Sequence, residues 1–215
     1  MLKELLSKQK SSLVYEAIEE ILKMLEGAGR MFAIGCDFAS SDEQSAQVLA
    51  QSDREINMGE RLVRRLIFQH LTVNPKYDLP ASLAILSIIH DVERLGDYAK
   101  NLFELNQWGD LCNKESRHRQ RYAEIRSEIE PLFSNTMDAL GNDDAEAARQ
   151  IMRKHENIKS LTDEFVSDLV QDLEGGPDAV LYALASRFLR RTSGHLSNVA
   201  SSLTNPLDRV GGNVV

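Results

Sequence analysis

The sequence is poor in residues that break helices: twelve glycines and five prolines among 215 residues, about 8 % against roughly 12 % in average usage. A turn-dense sandwich or a disordered chain is therefore disfavoured, and long helices are expected. Cysteine is scarce. Cys36 and Cys112 belong to no CxxC pair, so neither a disulfide framework nor a zinc ribbon is indicated, and both read as ordinary thiols of a reducing compartment. The opening MLKELLSKQK lacks the apolar run of a signal peptide, and no stretch approaches the roughly 18 uninterrupted apolar residues of a spanning helix. A soluble, cytoplasmic protein is expected. GxGxxG, GxxxxGK[ST] and Ser-x-x-Lys elements are absent, which leaves nucleotide and acyl-enzyme chemistry without a motif. Positive charge is also short, with 25 Lys and Arg against 33 Asp and Glu for a net charge of −8. That balance argues against general nucleic-acid binding, which rests on cations neutralising phosphates, and leaves cation binding open.

What is present is helical periodicity. Gly, Pro and short polar clusters cut the chain into six long segments, most with apolar residues at helical spacing, and no convincing strand is found. The first spans about residues 2–39, its first two turns forming a possible separate arm, with Leu13, Ile18, Ile21, Leu22 and Leu25 among its apolar set. Ser40, Ser41 and Asp42 offer an N-cap for the second, which reaches about Val73 before Asn74-Pro75. The third starts near Asp78 with Pro80 in its first turn and stops near Trp108-Gly109. A polar connector then leads to a fourth helix ending at Gly141-Asn142, a fifth over about 143–173, and a sixth after Gly175-Gly176-Pro177 that fades near Asn205-Pro206.

The second and fifth helices align at an offset of 102 residues, pairing Ala46 with Ala148, Leu49 with Ile151, Asp53 with His155 and Ile56 with Ile158. The third and sixth align at an offset of 97, pairing Glu93 with Arg190, Tyr98 with His195, Asn101 with Asn198 and Leu102 with Val199. A single shortened loop accounts for the change of offset, so a duplicated three-helix unit is expected. The predicted fold is all-α: two tandem three-helix bundles, over residues 1–109 and 110–205, related by a pseudo-two-fold axis, with a flexible tail over 206–215.

The third helix carries the most informative stripe. At 100° per residue from His90, Glu93 falls at about 300°, Asp97 at about 340° and Asn101 at about 20°, while Ile88, Val92, Leu95 and Ala99 lie opposite. Two carboxylates four residues apart repel unless something positive lies between them, and either Arg94 or a cation can serve. The second helix offers Asp53, Asn57 and Glu60 at i, i+4 and i+7. Oxygen-rich faces on neighbouring helices suit hard or borderline metals, although a solvated face has the same pattern.

The stretch Glu93-Arg94-Leu95-Gly96-Asp97-Tyr98-Ala99-Lys100-Asn101 resembles the ER-hydrophobic-GD-x-A-x-N signature of the PhoU family of phosphate-uptake regulators. Asn74-Pro75 with Asp78-Leu79 is similar to the P-x-x-DLR element before it, and Asp53-Arg54-Glu55-Ile56 to the D-x-x-I element of the preceding helix. The resemblance implies two three-helix repeats, a cytoplasmic and non-enzymatic regulator, and an E-x-x-x-D metal site for iron or zinc. Glu93 and Asp97 would be ligands, Asp53 a supporting one, and His90, Glu60 and Asn101 possible further support. It also implies docking on a membrane transporter or a sensor histidine kinase to restrain phosphate uptake or signalling. In the second repeat the signature position reads Leu189-Arg190-Arg191-Thr192-Ser193-Gly194-His195-Leu196-Ser197-Asn198. Both carboxylates are gone there, and a guanidinium has no lone pair for a cation, so no family-type cluster is expected in that half. Asp78-Leu79-Pro80 also lacks the arginine of the DLR element.

Arg117, Arg119, Arg121 and Arg126 form a basic cluster at the start of the fourth helix, with Arg187, Arg190 and Arg191 a second. Each fits either a solvated face or an acidic partner or membrane headgroup, and the first three are the candidate partner-binding residues. His90 reads as a hydrogen-bonded packing residue or a nitrogen ligand, His70 as a complement to a helix C-terminus, and Trp108 and Met31-Phe32 as packing at helix ends. A homodimer is expected from the apolar start of the third helix. Two other functions stay open: an accessory regulator of another ion transporter or channel, and a carboxylate-bridged iron enzyme of the ferritin-like kind, which lacks most of the ligands it needs.

Overall fold

The computed structural model describes residues 12–37, 42–75 and 79–205, and the early arm and the tail over 206–215 lie outside them. Six helices follow one another: α1 Ser12–Gly35, α2 Glu43–Val73, α3 Leu79–Leu105, α4 Arg119–Asn142, α5 Ala145–Gln171 and α6 Gly176–Ser201. No strand occurs among the described residues. The Asp42 side chain accepts the Ser45 N–H at 2.7 Å and starts α2. Asp144 accepts the N–H groups of Glu146 and Ala147 and starts α5. The fifth helix begins after Asp143 because that residue closes α4 in the left-handed region at φ 53°, a conformation Asp tolerates better than most residues. Gly176, at φ 51°, makes the tight turn into α6, followed by Pro177 in its first turn. Pro131 sits inside α4, where its missing N–H removes one intrahelical hydrogen bond.

Each half buries one stripe of every helix. In α3, Ile88, Val92, Leu95 and Ala99 are all 1 % exposed or less, the face opposite the polar stripe. Helices α1, α2 and α3 pack on one another, as do α4, α5 and α6, and the two halves meet mainly through α1 against α4 and α3 against α6. At the first of these seams the Phe32 and Phe133 rings meet tilted at 39°, with centroids 5.3 Å apart, and a β-carbon on Gly29 would press on the Phe133 ring. Inside the first half, α1 approaches α3 so closely that a β-carbon on Gly35 would lie 2.4 Å from the Ala99 carbonyl oxygen.

The α3–α6 seam shows the pseudo-two-fold axis in its side chains. Tyr98 and His195, equivalent under the 97-residue offset, stack on each other at 5.4 Å. A residue facing its own equivalent is what a two-fold axis produces at its centre. The flanking contacts are related in the same way: His195 Nδ1 lies 2.7 Å from Asp91, and Tyr98 lies 6.2 Å from Phe188, the residue 97 positions after Asp91. One side of the axis thus carries a polar contact and the other an aromatic one.

Two packing expectations need correction. Trp108 is 72 % exposed, because α3 ends at Leu105 and the following turn carries the indole outward. His90 is exposed too, on the solvent edge of the polar stripe, and is not a packing residue. Met31 and Phe32 are buried as expected, and His70 is buried in the last turn of α2.

Candidate functional site on the α2–α3 face

Packing of α2 against α3 brings the polar stripes of the two helices together. Lys100 Nζ lies 2.7 Å from Asp53 Oδ1 on α2 and 3.0 Å from Asp97 Oδ1 on its own helix, so one ammonium joins the two carboxylates. Arg94 donates to Asp97 Oδ2 at 3.0 Å, and its Nε stands 3.7 Å from Glu93 Oε2, so it supplies positive charge beside this pair. Asn57 donates to the other oxygen of Asp53 at 3.3 Å, and Glu60 accepts twice from Arg64. Asn101 sits half-buried one turn beyond Asp97 on the same stripe.

Glu93 is the residue in tension. Its Oε2 is buried and accepts no hydrogen bond, while His90 Nδ1 and Arg94 Nε stand 3.5 and 3.7 Å away. Burial pushes its carboxyl above the usual carboxylate range, and the nearby Asp97 and Glu60 add to the push against Arg94 and His90. Lys100 is held above the ordinary lysine value because its bonds to Asp53 and Asp97 outweigh its own desolvation. Each carboxylate that sequence spacing singled out therefore lies on this face. Among the described residues, however, no three His, Cys, Asp or Glu side chains converge as a ready metal set. The spacing missed Lys100. At about 280° it lies next to Glu93 on the helical wheel, so the signal was there.

The basic residues of the connector are committed elsewhere. Arg117 pairs with Asp172, as does His118 at 2.8 Å; Arg119 donates to the Cys112 carbonyl at 3.0 Å; Arg121 pairs with Glu164 at 3.1 Å. Arg126 donates to Glu130 and to the Cys36 carbonyl. These arginines fasten the connector and α4 to α5 and to the first half. Cys36 is fully buried, and burial pushes its thiol up to about 12, as befits an inert thiol.

In the second half, the positions equivalent to Asp53, Glu93 and Asp97 hold His155, Arg190 and Gly194. His155 Nδ1 meets Ser193 Oγ at 2.9 Å, and burial lowers its pKa below the ordinary histidine value. Arg190 pairs with Asp163. The expectation of two unlike halves rests on these residues.

Fold and face together define a duplicated three-helix-bundle protein whose first half carries carboxylates on the α2–α3 face and whose second half has His155, Arg190 and Gly194 at the equivalent positions. The chain belongs to the PhoU domain family, whose model matches residues 14–105 and again 122–203. It is 26 % identical over 190 residues to an uncharacterized protein of Deinococcus radiodurans, covering 85 % of this chain and 83 % of that one. It is 23 % identical over 166 residues, 73 % of this chain and 71 % of the relative, to a phosphate-specific transport system accessory protein PhoU homolog of Synechocystis. Two crystal structures share the fold. The phosphate transport system regulatory protein PhoU of Streptococcus pneumoniae superposes with a TM-score of 0.76 at 17 % identity, over 88 % of this chain and 92 % of that one. PhoU of Pseudomonas aeruginosa does so with a TM-score of 0.75 at 20 % identity, over 91 % and 97 %. Among the described residues no helix is long and apolar enough to cross a membrane.

Proposed function

We propose that this chain is a cytoplasmic, homodimeric regulator that restrains phosphate transport and phosphate-responsive signalling by docking on a membrane transporter or its sensor kinase. Membership of both halves in the PhoU domain family supports the phosphate role, as does the name of the Synechocystis relative. The observation that carries docking is a pair of apolar tips. Phe68 and Leu83, at the α2–α3 tip, are 72 % and 44 % exposed, and their equivalents Val170 and Val180, at the α5–α6 tip, are 75 % and 61 % exposed. Solvent-facing apolar residues kept at matched places in both halves suit contact with another protein. The engaged arginines Arg117, Arg119 and Arg121 can contribute there only by giving up bonds within the chain.

The same reading assigns a divalent or trivalent ion, iron or zinc, to the α2–α3 face. Glu93 and Asp97 would hold it with Asp53 in support, and His90, Glu60 and Asn101 lie around them. Glu93 supports the reading: its Oε2 is a buried oxygen with no hydrogen bond, and burial, with Asp97 and Glu60 nearby, raises its proton affinity. When bound, such an ion supplies positive charge that joins two helices. Lys100 and Arg94, which now neutralise Asp53 and Asp97, are long and partly exposed, free to turn out toward water.

The test is uptake of radiolabelled phosphate in cells lacking this chain and grown with ample phosphate. Uptake is expected to rise, to be restored by the parent chain, and to stay high with Phe68→Glu/Leu83→Glu. Unchanged uptake in the deletion would contradict the reading.

A further inference from the structure

A cavity of about 330 Å³ opens on the α5–α6 face of the second half. Its wall contains Arg187, Arg190 and Arg191 from α6 and Lys159 from α5, with His155, His195, Gly194 and Asn198 completing it, and no carboxylate lines it. Under the offsets of 102 and 97, each of these positions except His195, which corresponds to Tyr98 at the seam, corresponds to a residue of the α2–α3 polar face. Arg187, Arg190 and Arg191 stand where His90, Glu93 and Arg94 stand, and His155 and Lys159 stand where Asp53 and Asn57 do. The duplicated site has kept its place and reversed its charge.

The reversal is more than the loss of ligands. Arg187, Arg190 and Arg191 fall at i, i+3 and i+4, where like charges on a helix repel. Lys159 and Arg190 have counter-charges in Glu156 at 3.3 Å and in Asp163, both acids more than half exposed and outside the cavity wall. His195 is held by Asp91. Arg187 and Arg191 have no hydrogen-bond or ion-pair partner among the described residues. Gly194 replaces the equivalent of Asp97 with an open wall, where a β-carbon would meet only the His155 ring, at 3.5 and 3.8 Å.

We propose that this cavity binds a small free phosphate-class anion, inorganic phosphate or pyrophosphate. Several guanidinium forks converging with an ammonium suit a tetrahedral oxyanion with three or more free oxygens better than a planar carboxylate with two. The concave wall favours a small solute over a flat membrane surface. The site stands independently of the metal assignment, because it uses none of the α2–α3 residues.

The experiment is isothermal titration calorimetry of the full chain with inorganic phosphate and with pyrophosphate, with sulfate as a control, at about 50 and about 200 mM salt, since an ionic site weakens with salt, beside sedimentation of the chain with vesicles containing phosphatidic acid. Saturable binding of one phosphate-class anion per chain is expected, weaker at the higher salt. Affinity should fall at least about tenfold in Arg187→Gln/Arg191→Gln and in Gly194→Asp, and hold in Glu93→Gln/Asp97→Asn. Circular dichroism melting of each variant establishes that it folds. Three results would overturn the proposal: no saturable binding up to about 10 mM of either anion, binding undiminished in Arg187→Gln/Arg191→Gln, or association only with vesicles containing phosphatidic acid. Failure here with metal bound at Glu93 and Asp97 would leave the proposed regulator intact.

Discussion

The two halves of this chain share one backbone plan and oppose each other in charge at the same place. On α2 and α3 the shared face gathers Asp53, Glu60, Glu93 and Asp97 around Lys100 and Arg94. On α5 and α6 it gathers Lys159, Arg187, Arg190 and Arg191 around a cavity. The cores differ as well. Val63 and Ile85 of the first half correspond to Phe165 and Tyr182 of the second, where Tyr122, Phe165, Tyr182 and His118 form a ring cluster and the Tyr182 hydroxyl donates to the Leu111 carbonyl at 2.9 Å. Helix packing therefore preserves the fold through substitutions that leave the amphipathic stripe intact, while the solvent-facing stripe is free to change its chemistry.

The largest effect that separates the halves lies in those cores. Tyr182→Ala removes a fully buried ring together with its hydroxyl bond to Leu111 and is expected to cost about 3–5 kcal/mol, against about 2–5 kcal/mol for the like truncation Ile85→Ala at the equivalent place; urea unfolding midpoints of the two variants measure the contrast, with Tyr182→Ala expected lower. Next comes the seam. Asp91 accepts from His195 and from Asn198, each at 2.7 Å, so Asp91→Ala strands two donors and should cost about 1–3 kcal/mol, while the mirror contact of Tyr98 and Phe188 survives.

Acid titration sets the two faces against each other. Glu93 binds its proton more tightly folded than unfolded, so its contribution to stability is present at low pH and is lost as pH rises past its raised value. His155 binds its proton less tightly when folded, so its contribution is full above the ordinary value of 6.5 and is lost as pH falls below it. In metal-free protein, Glu93→Gln should therefore remove a gain on acidification and His155→Gln a loss, as read from melting temperatures between pH 4 and pH 8. The smallest effect is that of Lys100→Gln, about 0.2–1 kcal/mol without metal, because the pairs it breaks are partly exposed.

Much of this was legible in the residues. The buried faces of the six helices follow from 3.6-residue spacing, the α2 N-cap from Asp42, and the duplication from Leu49/Ile151 and Leu102/Val199, all four of which are buried. Ala46 and Ala148 are less alike than their alignment suggests, the first exposed and the second buried, because the start of α2 stands away from the core. The carboxylate stripe was legible because it lies on one helix and one face. Lys100 as the bridge between Asp53 and Asp97 was not, since that role depends on how α2 docks on α3, a tertiary fact. The cavity of the second half was hidden for the same reason. Arg187, Arg190 and Arg191 are a visible cluster, but their meeting with Lys159 and His155 across α5 requires the packed pair.

The central claim is that one ancestral plan now carries a cation site in the first half alone. Elemental analysis of the purified chain by inductively coupled plasma mass spectrometry, beside Glu93→Ala/Asp97→Ala and Arg190→Ala, tests it most directly. The account predicts stoichiometric iron or zinc in the parent and in Arg190→Ala, and none in Glu93→Ala/Asp97→Ala. Equal metal in the parent and the Glu93→Ala/Asp97→Ala variant, or none in any of the three, would contradict it.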